Sequence, residues 1–184
     1  MRNFYIFFLI GILCSSCKED VLPKPKAYLS LNYPTVIYKK VVVAKPYSFE
    51  VSSNVEIIEQ PKFWIQIKYQ KLKASIDITY RPIQNNLKEL LMESEKLVYK
   101  HAVKAEEITT KNFENYDKRV FGSMQEISGN AASQIQFHLT DSTHNFIKGA
   151  LYFYAKPNYD SILPAVAYIK KDILRLIETL QWVD

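Results

Sequence analysis

Alternating apolar and polar positions predict most of the regular structure in this chain. A period of two is typical of half-buried β-strands, and residues 74–80 show it clearly, since apolar side chains alternate there with Ser75, Asp77 and Thr79. The predicted strands are Ala27 to Tyr33, Tyr47 to Val51, Phe63 to Tyr69, Ala74 to Tyr80, Lys118 to Ser128, Ala132 to Thr140 and Phe146 to Ala155.

Two segments change to a spacing of three and four, which is typical of amphipathic helices. The first is predicted to begin at Asn85 and to run for about twenty residues, with an apolar stripe that reaches Ile108. The second is predicted from about Ser161 to Gln181, with Asp160 or Ser161 as its N-cap.

The order of strands, helix, strands and helix predicts the fold class. A hairpin is expected through Gln70 to Lys73, and Asp141 to Asn145 supplies turn residues that bond to their own backbone. Gly122 is expected to interrupt its strand. These short connections predict an α+β domain, in which one antiparallel sheet packs against two long helices.

The N-terminal segment is typical of a bacterial lipoprotein signal. Its apolar run over residues 4–13 is too short to cross a bilayer as a helix. Small serines at 15 and 16 precede Cys17, whereas bulky residues precede Cys14. Residues 1–16 are therefore predicted to be a cleaved signal peptide, with Cys17 carrying S-diacylglycerol and an N-acyl chain such as palmitate. A plain secretory signal cut nearby is the alternative.

The remaining chain divides into a tether and one domain. Residues 17–26 include prolines 23 and 25, which favour an extended tether, and residues 27–184 form a single predicted globular domain. Without Cys14, and with Cys17 acylated, no thiol remains for a disulfide, a zinc-thiolate site or a cysteine nucleophile.

Charge argues against a nucleic-acid partner. The chain carries 24 lysines and arginines against 19 acidic residues, a net charge of +5, and the basic residues are scattered. The predicted envelope location argues in the same direction. We therefore expect the membrane as a partner, through the lipid anchor, and no nucleic acid.

No catalytic, cofactor-binding or metal-binding residue is assigned. His138 and His144 flank one turn, but two histidines without a third ligand make a poor zinc site. Ser133 lacks the glycine-flanked turn of a hydrolase nucleophile, and His101 lies on the apolar stripe of its helix. We expect no cofactor and no enzymatic activity.

Recognition is expected at two loops and one aromatic side chain. Gly129 and Asn130 lead into a strand, Asn158 and Tyr159 lead into the last helix, and both loops are expected near one end of the sheet. Trp64 lies on the polar-leaning face of its strand. The alternative is that Gly129 and Asn130 only serve turn geometry and that a helix or loop covers Trp64.

Several separated blocks of the chain resemble the gliding motility lipoprotein GldD family of Bacteroidetes. The blocks, which span nearly all of the mature chain in the same order, are residues 19–31, 72–76, 129–137, 151–154 and 156–161. The order of a long helix, a hairpin of long strands and a closing helix also resembles the PsbP/Mog1-like topology.

The resemblance implies a lipid-anchored envelope protein required for gliding motility and the associated type IX protein secretion. It implies protein–protein contacts with other envelope components of these systems, and it carries over one functional residue, Cys17. The expected location is the periplasmic face of a membrane, the outer rather than the inner, because Lys18 after Cys17 is not the aspartate that retains lipoproteins at the inner membrane. The run Lys18 to Asp20 resembles a surface-export signal, so cell-surface exposure is the alternative. An envelope lipoprotein that binds a glycan, lipid or pigment, or a small envelope enzyme, remains the alternative function.

Overall fold

A computed structural model describes residues 33–41, 46–101, 103–154 and 158–183. The predicted signal peptide, Cys17, the tether and all but the last residue of the predicted strand Ala27 to Tyr33 lie outside these residues. The predicted boundaries at residues 16 and 26 therefore stay predictions.

Within the described residues the chain forms ten strands and two α-helices. The strands are β1 (Tyr38–Val41), β2 (Tyr47–Ser52), β3 (Glu56–Gln60), β4 (Trp64–Tyr69), β5 (Ala74–Pro82), β6 (Ala105–Asn115), β7 (Val120–Gly129), β8 (Ile135–Thr140), β9 (Asn145–Phe153) and β10 (Gln181–Trp182). The helices are α1 (Leu87–His101) and α2 (Tyr159–Thr179).

Seven of the strands form one antiparallel sheet, in the order β3-β4-β5-β9-β8-β7-β6. A smaller sheet has the order β1-β2-β10, and all of its described pairings are also antiparallel. This architecture confirms the predicted α+β class: a single domain built from antiparallel sheet and two helices.

The two faces of the large sheet differ in polarity. One face carries buried apolar residues such as Ile67, Ile76 and Phe137, and it joins β2 and the apolar stripe of α2 in the main core. Burying such side chains contributes about 1.5–3 kcal/mol each. The opposite face carries polar residues including Ser123 and His138, which line a groove with α1.

The first predicted helix was too long. α1 ends at His101, and the segment assigned to the rest of the helix contributes to β6 instead. Ile108 packs with Val98 of α1 and Ile127 of β7, so a strand residue occupies an apolar position that mimics the helical stripe. Pairing with β7 along nearly the whole of β6 decides in favour of strand.

The structure tests four further local predictions. α2 begins at Tyr159 with Asn158 as N-cap, so the predicted cap at Asp160 or Ser161 is wrong. Gly122 does not interrupt its strand but pairs within β7, opposite Leu139. The hairpin at residues 70–73 and the turn at residues 141–145 are confirmed.

Neither α1 nor α2, the helices of the described residues, combines the length and apolarity needed to cross a bilayer.

Candidate functional site

The two predicted recognition loops meet in space. The side-chain amide oxygen of Asn130, in the turn after β7, accepts a hydrogen bond of 3.0 Å from the backbone N–H of Tyr159. Asn130 and Asn158 are exposed, and Tyr159 is half-buried at the first position of α2. The structure therefore joins the β7–β8 connection to the start of α2, as the sequence predicted. Their role as partner contacts stays a prediction.

Gly129 serves a tight backbone approach at the end of β7. Its φ of +88° is unfavourable for a side chain, and a Cβ there would lie 2.9 Å from both the Glu106 nitrogen and the Lys104 oxygen. The β6–β7 register shifts next to it, between Ala105 and Glu107. Gly129 thus serves turn geometry, as the alternative interpretation expected, whereas the Asn130 side chain bonds to Tyr159.

Trp64 lies away from these loops. Three strands separate β4 from β7 in the sheet, so Trp64 does not join the Gly129–Tyr159 group. Its indole N–H donates to the backbone oxygen of Tyr80 at 3.1 Å, and its side chain is half-buried. It lines a cavity of about 130 Å³ together with Leu90 and Glu93 of α1. Partial cover by a helix, raised as the alternative, is therefore correct.

A groove of about 350 Å³ extends from Tyr159 along α2. We call it the α2-side groove. Its wall on the sheet includes Glu107, Thr109 and Glu126, and its wall on α2 includes Tyr159, Leu163 and Lys170. Leu163 is an exposed large apolar residue. An apolar wall thus faces an acidic strand edge.

Acidic side chains dominate the electrostatics of the α2-side groove. Burial raises the pKa of Tyr159, and the negative charges of Glu106, Glu126, Asp160 and Glu107 raise it further. Lys170 pairs with Glu126 at 2.7 Å and so offsets one of these charges. The remaining field favours a cationic group in the groove.

A second and larger groove, of about 660 Å³, lies on the other face of the sheet beneath α1. We call it the α1-side groove. Leu87, Leu91 and Met92 of α1 supply its apolar surface. The strands supply polar groups from Thr110, Ser123, Gln125 and His138.

One polar group in the α1-side groove has no partner. Ser94 is only 6 % exposed, and among the described residues its hydroxyl makes no hydrogen bond. A buried hydroxyl without a hydrogen bond costs about 1–3 kcal/mol. Because Ser94 lines the groove, a bound group could satisfy it.

Ser123 and His138 are neighbours at the floor of this groove. Their Oγ and Nδ1 atoms are 3.4 Å apart, longer than a good hydrogen bond, and Ser123 Oγ accepts from Gln125 Nε2 at 2.7 Å. Burial lowers the pKa of His138, whose ring stacks on Phe146 with centroids 5.8 Å apart. These groups can donate hydrogen bonds to a neutral ligand and accept hydrogen bonds from it.

The other serine and histidine candidates lie elsewhere. Ser133 is fully buried, and its hydroxyl donates to the backbone oxygen of Ile135 at 3.0 Å. His144 is exposed in the turn before β9, whereas His138 is half-buried on β8. Among the described residues no three His, Cys, Asp or Glu side chains are grouped to hold a metal.

Sequence reasoning missed the strand that separates the two grooves. Thr109 lines the α2-side groove, and its neighbour Thr110 lines the α1-side groove, because successive strand residues point to opposite faces. The three β-branched residues Ile108 to Thr110 were a signal for strand that the helical spacing obscured.

Comparison with known proteins identifies a family. The family model described as gliding motility lipoprotein GldD matches residues 18–182. No curated protein matches the chain. The matched range includes both grooves and β6.

Proposed function

Because the chain belongs to the gliding motility lipoprotein GldD family, we propose that it is a non-enzymatic envelope component or assembly factor required for gliding and type IX protein secretion. It acts, in this proposal, through contacts with other envelope proteins of these systems. The observation that carries the proposal is the family match over nearly the whole chain. Membership in this family makes the chain a membrane-associated lipoprotein of gliding motility.

Lipidation of Cys17 supplies the membrane attachment in this proposal. One acyl chain binds a bilayer only marginally, at about 0.8 kcal/mol per buried methylene, so two or three chains give lasting attachment. Tyr33, the first described residue, lies sixteen positions after Cys17. A fully extended chain of that length reaches at most about 55 Å. In this proposal Tyr33 therefore lies within this distance of the membrane surface. The domain is proposed to face the periplasm, with the outer membrane favoured over the inner.

The surface around β6 supports a role in protein contacts. Two grooves open beside this strand, and the loops at Asn130 and Tyr159 meet at the end of one of them. Protein interfaces gain affinity where side chains enter such concave sites. A glycan-, lipid- or pigment-binding role, or a small enzyme, stays a prediction whose natural site is the α1-side groove.

Fatty-acid labelling tests the anchor. Cys17→Ala is expected to lose incorporation of labelled palmitate and to leave the membrane fraction, because no acceptor thiol remains at the processing site. Cys14→Ala is the matched control and is expected to keep both. Labelling of Cys17→Ala at the wild-type level would refute the anchor assignment.

Deletion and crosslinking test the role. A deletion strain is expected to lose gliding and to retain type IX cargo inside the cell, and wild-type protein is expected to restore both. In-cell crosslinking of the tagged lipoprotein, followed by mass spectrometry, is expected to recover components of these systems. Intact secretion in the deletion strain, with no such component recovered, would refute the proposal.

A further inference from the structure

β6 is a long edge strand whose outer side carries no strand in the described part of the chain. It has eleven residues and pairs there only with β7. The other edge strand, β3, has five residues. In an antiparallel ladder, backbone N–H and C=O groups that do not face β7 face outward, where another strand can bond to them.

One feature that usually blocks such an edge, an irregular register, is confined to one end of β6, whereas Lys111 and Glu114 place charge within the strand. Its register shifts between Ala105 and Glu107, beside Gly129. From Glu107 to Asn115 each residue pairs in order with β7. A regular segment of nine residues spans about 30 Å, enough to receive an extended peptide.

The edge is flanked by a groove on each face of the sheet. Thr109 borders the α2-side groove, and Thr110 borders the α1-side groove. A strand added beside β6 would direct its side chains alternately to the two faces. Main-chain hydrogen bonds would then supply affinity, and the two grooves would select the alternate side chains of the added strand.

The lining of the grooves specifies the side chains that fit. Glu107 and Glu126 on the α2 side, with Glu106 nearby, outnumber Lys170 and favour basic side chains. On the α1 side, Leu87 and Leu91 favour aliphatic side chains. The Ser94 hydroxyl, which makes no hydrogen bond among the described residues, lies in the same groove and can bond to the backbone of an added peptide.

We propose that β6 receives an extended segment of a partner protein as an additional strand, with basic side chains in the α2-side groove and aliphatic side chains in the α1-side groove. This inference rests on the proposed function, for which it names the contact surface and the chemistry of the partner. The occupant is a polypeptide in β conformation rather than a folded surface.

A designed peptide tests strand addition with the mature chain. The probe is a fluorescein-labelled nine-residue peptide of alternating lysine and valine, and the control contains the same residues as a lysine block followed by a valine block. Anisotropy is expected to show at least about tenfold tighter binding of the alternating peptide, equivalent to about 1.4 kcal/mol. Methylation of alternate peptide nitrogens on the edge-facing side is expected to abolish binding, because these amides supply the new strand bonds.

Charge reversal tests the groove. Glu107→Lys is expected to weaken the alternating peptide about tenfold. Glu178→Lys makes the same change at an exposed site in the last turn of α2 and is expected to leave binding unchanged. Bound peptide is expected to slow amide hydrogen exchange in residues 107–115, which charge attraction alone would not do.

Strand addition is overturned if the block peptide binds equally well, if Glu107→Lys has no effect, or if exchange in β6 is unchanged. A homodimer detected by light scattering, with β6 protected in hydrogen exchange, would also overturn strand addition by a partner, because a second copy of the chain would then occupy the edge. If the peptide experiments fail while the crosslinking and deletion experiments give their expected results, strand addition is refuted and the proposed function stands. A deletion strain without a defect, together with no recovered component in crosslinking, would refute the proposed function whatever the peptide experiments show.

Discussion

The Tyr69 hydroxyl donates a hydrogen bond to Asp172 Oδ2 at 2.9 Å inside the domain. Tyr38 donates to the other oxygen, Oδ1, at 3.1 Å. Asp172 of α2 is only 3 % exposed and thus connects β1 of the small sheet with β4 of the large sheet. Burial raises the pKa of Asp172, while the hydrogen bonds from Tyr69 and Tyr38 lower it by less, so the net shift is upward.

The raised pKa of Asp172 predicts a pH-dependent stability. Asp172 holds its proton more strongly in the native state than in the unfolded state. The resulting contribution to the free energy of unfolding is fully present below the unfolded pKa of about 3.8 and is lost as pH rises through the native pKa. The free energy of unfolding of wild type, relative to Asp172→Asn, is therefore expected to fall across that window. Urea denaturation at a series of pH values measures it, with Asp117→Asn, at an exposed turn, as the control for loss of a carboxylate. Parallel wild-type and Asp172→Asn profiles would contradict the assignment.

Asp141 is expected to have the opposite dependence. Its Oδ1 accepts backbone N–H bonds from Thr143, His144 and Asn145 at 2.8–2.9 Å. Burial raises the pKa of Asp141, but these bonds and one from the Asn145 side chain together lower it below 3.8. The stabilisation is present above pH 3.8 and is lost as pH falls through the native pKa.

Asp141→Ala should therefore lower the free energy of unfolding at neutral pH by about 2–3 kcal/mol, because three turn amides lose their charged acceptor. Asp141→Asn, which retains one acceptor oxygen, is expected to lose less. Chemical denaturation measures both changes. An alanine variant as stable as wild type would show that water replaces the carboxylate without cost.

Gly149→Ala is expected to strain the core. Gly149 of β9 lies opposite Phe137 of β8, and a Cβ at this position would overlap the Phe137 ring. Overpacking of this kind costs about 1–3 kcal/mol. In a Phe137→Leu background the same substitution should cost less, because the smaller side chain leaves room. A double-mutant cycle measures the difference, and equal costs in both backgrounds would locate the strain elsewhere.

Asn130→Ala should loosen the start of α2. It removes the acceptor for the Tyr159 N–H, and the loss of one hydrogen bond is expected to cost about 0.5–1.5 kcal/mol. Amide exchange at Tyr159 should become faster. Asn112→Ala, at an exposed position of β6, is the control and should leave exchange at Tyr159 unchanged. An unchanged Tyr159 rate in Asn130→Ala would mean that the contact does not hold the loops together.

Strands with one buried face were predictable, whereas the two edge strands of the large sheet, β3 and β6, were not. In β5, Ile76 and Ile78 lie in the core and Asp77 between them lies on the other face. The alternation in the sequence therefore follows the burial of each side chain. Most side chains of β6 are exposed, since the strand lies at the sheet edge between two grooves. Period two disappears when neither face is fully buried. The β-branched residues Ile108 to Thr110 were then the local signal for strand, and pairing with β7 outweighs the helical spacing that obscured it.

The candidate site divides in the same way. The loops at Gly129 and Tyr159 were found from turn and helix-start signals, which are local. The α1-side and α2-side grooves depend on where each helix crosses the sheet, so they arise from contacts between residues far apart in sequence. Asp172 illustrates the limit, because its position on α2 gave no sign that Tyr69 and Tyr38 would enclose its carboxylate.

The sequence by itself determined the α+β class, most of the strands, the turn built on Asp141 and the resemblance that the family match confirmed. These depend on residue type and short spacing, which fix local backbone geometry and the face that is buried. The tertiary structure alone decided the strand identity of β6, the cover over Trp64 and the grooves on either side of the sheet edge. Each of these follows from burial and hydrogen bonding between distant segments, which local sequence does not encode.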